Sequence, residues 1–255
     1  MGFVKFHVAC RSCGSSDAVS VNDNGSAKCF SCGEFFPNYE EPVTNLNEVY
    51  KRENIKMQEI PISQDVYVGT FGALRDRNIS EATAKKFNVR VTYDSNGEVD
   101  KHYYPYYSGN EVVAYKIRKV STKSFSSQGE MQKGTLFGQQ ICSAGAKYIT
   151  ITEGECDAMA AYELTGSRWP VVSVKSGAQA AASDVKKNFE FLNSFENIII
   201  CFDTDKPGRE AANKVAALFP PNKARIMSLP VDYKDPNDML KKNKHSEFVD
   251  CFWQA

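Results

Sequence analysis

The chain has 255 residues, 42% hydrophobic and 24% charged, enough apolar material for one large core or two smaller ones. Lys+Arg and Asp+Glu both number 31, so no global basic field marks a nucleic-acid partner and any such binding must come from local patches. No apolar run approaches the roughly 18 residues of a membrane span, and four of the eight cysteines stand in two tight pairs while four are scattered. That pattern excludes a disulfide scaffold and points to a cytoplasmic protein with reduced thiols and one metal site.

Residues 1–36 carry the paired cysteines, Cys10-Arg11-Ser12-Cys13 and Cys29-Phe30-Ser31-Cys32. Two such knuckles fit a Cys₄ zinc ribbon, in which four thiolates close a tetrahedron around a structural Zn²⁺. Between them residues 18–22 alternate in polarity and Asn24-Gly25 is a hairpin turn that returns the second knuckle to the first. So small a module has almost no core and depends on its metal for folding. Spacing leaves open whether it meets nucleic acid, protein or only its host domain.

Residues 37–59 are polar and acidic without hydrophobic periodicity, which predicts a linker. Residues 60–146 predict a small α+β subdomain: a helix over 81–87 capped by Ser80, and strands over 103–107 and 112–117 around Ser108-Gly109-Asn110. Lys116 and Arg118 share one strand face by the period of two, and with Lys123 they form a basic stretch able to grip phosphates, or simply a solvated face. The neighbouring tyrosines are core candidates. Gly129 to Thr135 has the glycines of a phosphate-binding loop but lacks its lysine, and is rejected as one.

From residue 147 to 255 short apolar runs (148–152, 171–174, 198–202, 224–229) alternate with helical stretches (157–164, 178–191, 208–218), predicting a mainly parallel sheet flanked by helices. Glu153 follows the first run, and Asp203 and Asp205 follow the third. In an open parallel sheet these carboxylates emerge at one edge, the carboxyl ends of the strands, where ligands bind. Crowded carboxylates repel unless a divalent cation neutralises them, and oxygen ligands suit Mg²⁺ or Mn²⁺. The rival reading is ordinary helix capping. Asp235 and Asp238 follow the fourth run and either complete the site or form a polar turn around Pro236.

Glu153 with Gly154 and Asp157, then Asp203-x-Asp205 with Gly208, resemble the Toprim domain of bacterial-type primases, topoisomerases and certain nucleases. A Cys₄ ribbon, linker and mixed subdomain ahead of it resemble the DnaG-like primases, with length and order most similar to the primase half of T-seven-like phage primase–helicases. The stretches 74–80 and 234–238 share that likeness. The resemblance implies synthesis of short RNA primers from ribonucleoside triphosphates on single-stranded DNA, beside a replicative helicase. It implies Glu153 nearest the chemistry, Asp203 and Asp205 as Mg²⁺ ligands, and Lys116, Arg118 and Lys123 on phosphates; Asp157 and Asp235 stand beside that set as further candidate ligands, with the polar-turn alternative for Asp235 still open. Where phage relatives place a template-reading histidine, this chain has Ser26, Ala27 and Lys28, so no trinucleotide preference carries over. A Toprim nuclease and a non-catalytic zinc adaptor of a helicase are the competing functions.

Overall fold

The computed structural model describes residues 2–8, 10, 12, 18–39 and 68–255, so Cys13 and most of the expected linker lie outside the described residues. The chain divides into two compact units, Met1–Gln58 and Glu59–Ala255.

The first unit is a four-stranded antiparallel sheet in sequence order: β1 (Phe3–Val8), β2 (Val19–Asn22), β3 (Ala27–Cys29) and β4 (Phe35–Phe36). The Asn-Gly turn closes as expected, with the Gly25 amide donating to the Asn22 carbonyl at 3.0 Å and the Asn24 side chain accepting from the Ser26 amide at 3.1 Å. Its buried apolar cluster is Val8, Cys10, Val19, Ala27, Cys29 and Phe36. So small an apolar core is below what a free-standing domain needs without a staple.

The second unit holds two sheets. Strands β5 (Arg90–Tyr93), β6 (Val99–Ser108), β7 (Glu111–Lys119) and β8 (Phe125–Gly129) form an antiparallel sheet in that order. The helix α1 (Glu81–Lys86) precedes it, its start fixed by the Ser80 hydroxyl accepting from the Thr83 amide at 3.2 Å. Tyr104 and Tyr106 are buried core residues, and each buried hydroxyl keeps a polar partner: Cys156 Sγ at 3.2 Å and Glu155 Oε1 at 2.5 Å.

The other sheet is parallel, ordered β10 (Val171–Ser173), β9 (Tyr148–Thr152), β11 (Asn197–Cys201), β12 (Ala224–Ile226). The period of two sorts its side chains. Ile149, Ile151, Ile198 and Ile200 pack on one face with α3 (Ala181–Lys187), α4 (Phe189–Asn193) and α5 (Lys206–Ala216). Ile199 and Cys201 face α2 (Glu155–Leu164) on the other. Each of the four isoleucines has no exposed surface, and full burial of such a side chain contributes about 1.5–3 kcal/mol. The expected helix over 178–191 is instead a short 3₁₀ turn (Ala178–Ala180) followed by α3 and α4, broken at Asn188, whose side-chain amide donates back to the Asp184 carbonyl at 2.8 Å. The fourth strand stops at Ile226 rather than residue 229, because the chain turns into Leu229-Pro230. Two further helices, α6 (Pro236–Lys241) and α7 (His245–Gln254), close the chain. No helix among the described residues is long and apolar enough to cross a membrane.

Candidate active site

Strands β9 and β11 lie side by side with Thr152 opposite Cys201. Beyond β9 the chain leaves for β10 on one side, and beyond β11 it leaves for β12 on the other, so the strand order reverses between them. The crevice at such a reversal is where open α/β sheets bind ligands. Glu153 follows β9 directly, while Phe202, Asp203 and Thr204 follow β11 and lead to Asp205, the N-cap of α5.

Local sequence fixes each carboxylate. The Asp205 side chain accepts from the Gly208 amide at 3.0 Å, and this N–H together with Lys234 holds its pKa below the usual value. Gly208 is required by close approach: a Cβ there would stand 2.2 Å from the Asp203 carbonyl oxygen. Glu153 Oε1 accepts from the Ala178 amide at 3.2 Å, an amide presented by a turn through Gly177 at φ +68°. Its other oxygen, Oε2, is buried with no hydrogen-bond partner. Burial first, then the charge of Asp203, raises the Glu153 pKa. A half-buried carboxylate with an orphaned oxygen beside two others is a donor set suited to a hard cation.

Lys234 joins the edge from the turn before α6, its ammonium 2.8 Å from Asp203 Oδ2 and 3.3 Å from Asp205 Oδ2. Those two carboxylates, Asp203 foremost, raise its pKa. Asp235 caps α6 by accepting from the Asp238 amide at 2.8 Å, so it is both a turn residue and a neighbour of the cluster. Burial, then Asp235 and Asp203, pushes the Asp157 pKa well above its ordinary value, and burial raises Asp235 too. The expected acidic residues are therefore electrostatically coupled at one edge. Among the described residues, the carboxylates of Glu153, Asp203 and Asp205 do not form a group whose oxygens all lie within 4.8 Å.

The basic stretch divides. Lys116 Nζ donates to Glu155 Oε1 at 2.8 Å and to the Lys175 carbonyl at 2.9 Å, and lies 4.9 Å from the Phe125 ring centre. Arg118 shares its strand face but is only 4% exposed, its guanidinium 2.8 Å from Asp76 Oδ2. Asp76 in turn places Oδ1 3.0 Å from His102 Nε2. Lys123 is exposed in the turn before β8. Sequence reading missed Asp76, Lys234 and Asn237 as organising residues; the capping pattern at Asp235 was the available signal for the last two.

In the first unit Cys10, Cys29 and Cys32 bring their sulfurs within 4.8 Å of one another, with Cys10 and Cys32 3.8 Å apart. Backbone N–H groups of Cys32, then Ser31, donate to Cys29 and lower its pKa to about 7, favouring the thiolate a metal requires.

Residues 150–240 match the family model described as Toprim-like. The chain is 33% identical over 98% of its length to the DNA helicase/primase of Enterobacteria phage T3, and spans 44% of that relative. The primase fragment of the bacteriophage T7 primase-helicase protein matches with 29% identity and a TM-score of 0.66 over 98% of this chain and 99% of that one. A chain in the structure of bacteriophage T7 lagging-strand DNA polymerase interacting with primase domains of two gp4 subunits bound to an RNA/DNA hybrid and dTTP matches with 32% identity and a TM-score of 0.65, over 72% of this chain and 92% of that one. The chain belongs to the DnaG-like Toprim primases of the phage primase–helicase type.

Proposed function

We propose that this chain is a DNA primase, synthesising short RNA primers on single-stranded DNA by metal-dependent nucleotidyl transfer. The observation that carries this reading is Glu153, with its unpartnered buried oxygen, set beside Asp203 and Asp205 at the sheet's switch point. We assign residues 1–36 to a zinc ribbon, 37–59 to a linker, 60–146 to the N-terminal subdomain of the polymerase and 147–255 to the Toprim catalytic subdomain. Cys10, Cys29 and Cys32, with Cys13 as fourth ligand, hold Zn²⁺. The ribbon contacts template, and its tether raises the effective concentration of that weak contact.

Glu153, Asp203 and Asp205 hold Mg²⁺ or Mn²⁺, with Asp157 and Asp235 behind them. Bound there, the metal supplies activation of a ribonucleotide 3′-hydroxyl and neutralises charge on the departing pyrophosphate. Lys116 and Lys123 meet the phosphates of the ribonucleoside triphosphate. Arg118 supports that surface from inside through Asp76. The T3 relative is named for helicase as well as primase, which supports a replicative helicase as partner, fused or separate, in the cytoplasm where the DNA is copied.

Incubation of the protein with a random pool of single-stranded DNA, labelled ribonucleotides and Mg²⁺ tests this reading. Short RNA products support it. Cleaved DNA without RNA synthesis would establish the nuclease, and neither product would leave the zinc adaptor.

A further inference from the structure

We propose that Lys234 is a built-in counter-ion of the divalent-metal site, holding Asp203 and Asp205 until a divalent cation displaces it. This rests on the metal role given above to those carboxylates.

The Lys234 ammonium touches both aspartates, at 2.8 and 3.3 Å. A divalent cation of the Mg²⁺ class needs the same carboxylate oxygens at about 2.0–2.1 Å, so ammonium and metal compete for one place. The backbone of Lys234 is fixed whichever of them wins. Its carbonyl accepts from the Thr204 amide at 2.8 Å and its amide donates to Asp238 Oδ2 at 3.2 Å. Only the side chain has to move.

Exposure sets the balance of the competition. Lys234 is 53% exposed, Asp205 44% and Asp203 15%, so the ammonium leaves towards water with little desolvation to overcome. Half-exposed ion pairs are individually weak, and a doubly charged ion outcompetes a singly charged one at the same oxygens. In the metal-free protein the lysine keeps two carboxylates together that would otherwise repel. The same contact lowers affinity for free metal, which ties loading to the arrival of further negative charge, such as a triphosphate.

Mn²⁺ binding to the zinc-loaded full chain, followed by the electron paramagnetic resonance signal of free Mn²⁺ at low ionic strength, tests this without reference to catalysis. Lys234→Gln should tighten binding about three- to tenfold, the effect of removing one competing charge at contact distance in water-like surroundings. Lys234→Arg should leave affinity near that of the wild type, and Asp203→Asn should lose the site. Unchanged or weaker binding in Lys234→Gln, with loss in Asp203→Asn, would overturn the counter-ion while leaving the metal site standing. Equal tightening in the Gln and Arg variants would overturn it too, since Arg keeps the charge. Wild-type binding by Asp203→Asn would remove the metal site itself and the counter-ion with it.

Discussion

Arg77 and Asn237, 160 positions apart in sequence, exchange two hydrogen bonds: the guanidinium donates to Asn237 Oδ1 at 3.2 Å, and the Asn237 amide donates to the Arg77 carbonyl at 2.7 Å. Asn237 is 1% exposed and lies two residues beyond Asp235. The clasp ties the turn before α1 to the acidic edge, and although burial opposes charge on Arg77, the neighbouring Cys156 and Tyr104, then Asp76 and Asp157, raise its pKa. Asn237→Ala leaves buried donor and acceptor unmatched, at a cost of about 1–3 kcal/mol. Thermal denaturation should show that loss, and primer synthesis at saturating nucleotide should fall while KM holds. An unchanged melting temperature would contradict a structural clasp.

Asp76 supplies a pH test. Burial works against its carboxylate, but His102 and then Arg118 overcome this and hold its pKa below the ordinary carboxylate range. A lowered folded-state pKa contributes stability that is present above the unfolded value, about 3.9, and is lost as pH falls through the folded one. Asp76→Asn should therefore lower the melting temperature at pH 7, by an amount corresponding to roughly 3 kcal/mol because Arg118 is left buried without its partner. The gap between the two proteins should narrow below about pH 4. A gap constant from neutral pH into strong acid would exclude an ionised Asp76 as its source.

Gly208→Ala should damage the site from the backbone outward. The new methyl would meet the Asp203 carbonyl oxygen at 2.2 Å and its carbon at 2.9 Å, so the Asp203 segment has to shift. Overpacking of this kind costs about 1–3 kcal/mol, and a misplaced carboxylate should lower kcat well beyond what instability explains. Near wild-type kcat with a well-folded variant would show that Asp203 tolerates displacement.

Cys29→Ser should release zinc and abolish template-directed initiation, because a module with so small a core loses its fold with its metal. Extension of a pre-annealed RNA primer should survive better. Metal analysis beside the two assays checks this, and equal loss of both activities would make the ribbon part of the catalytic machinery.

The acidic edge was legible because it is written locally. Short apolar runs within Tyr148–Thr152 and Asn197–Cys201 set the strands, and Glu153, Asp203 and Asp205 fall at their ends before helix starts. What escaped was long-range or unpatterned. The polar edge strand Phe125–Gly129 has no hydrophobic signature, and the break at Asn188 depends on a side chain turning back to Asp184. A period of two correctly put Lys116 and Arg118 on one face, yet nothing nearby announces that Asp76, 42 positions earlier, buries one of them. Lys234 was visible only as part of a turn, since its role comes from meeting Asp203 across the fold.

The most direct measurement is primer synthesis on single-stranded DNA with Mg²⁺ by the wild type, Asp203→Asn and Asp205→Asn, each with its melting temperature taken beside it. The wild type should make short RNA, and each variant should fold yet fall on the order of a thousandfold in rate, since loss of a metal ligand removes several kcal/mol of transition-state stabilisation. Wild-type synthesis by both variants, or no RNA from the wild type, would contradict a primase working through these carboxylates.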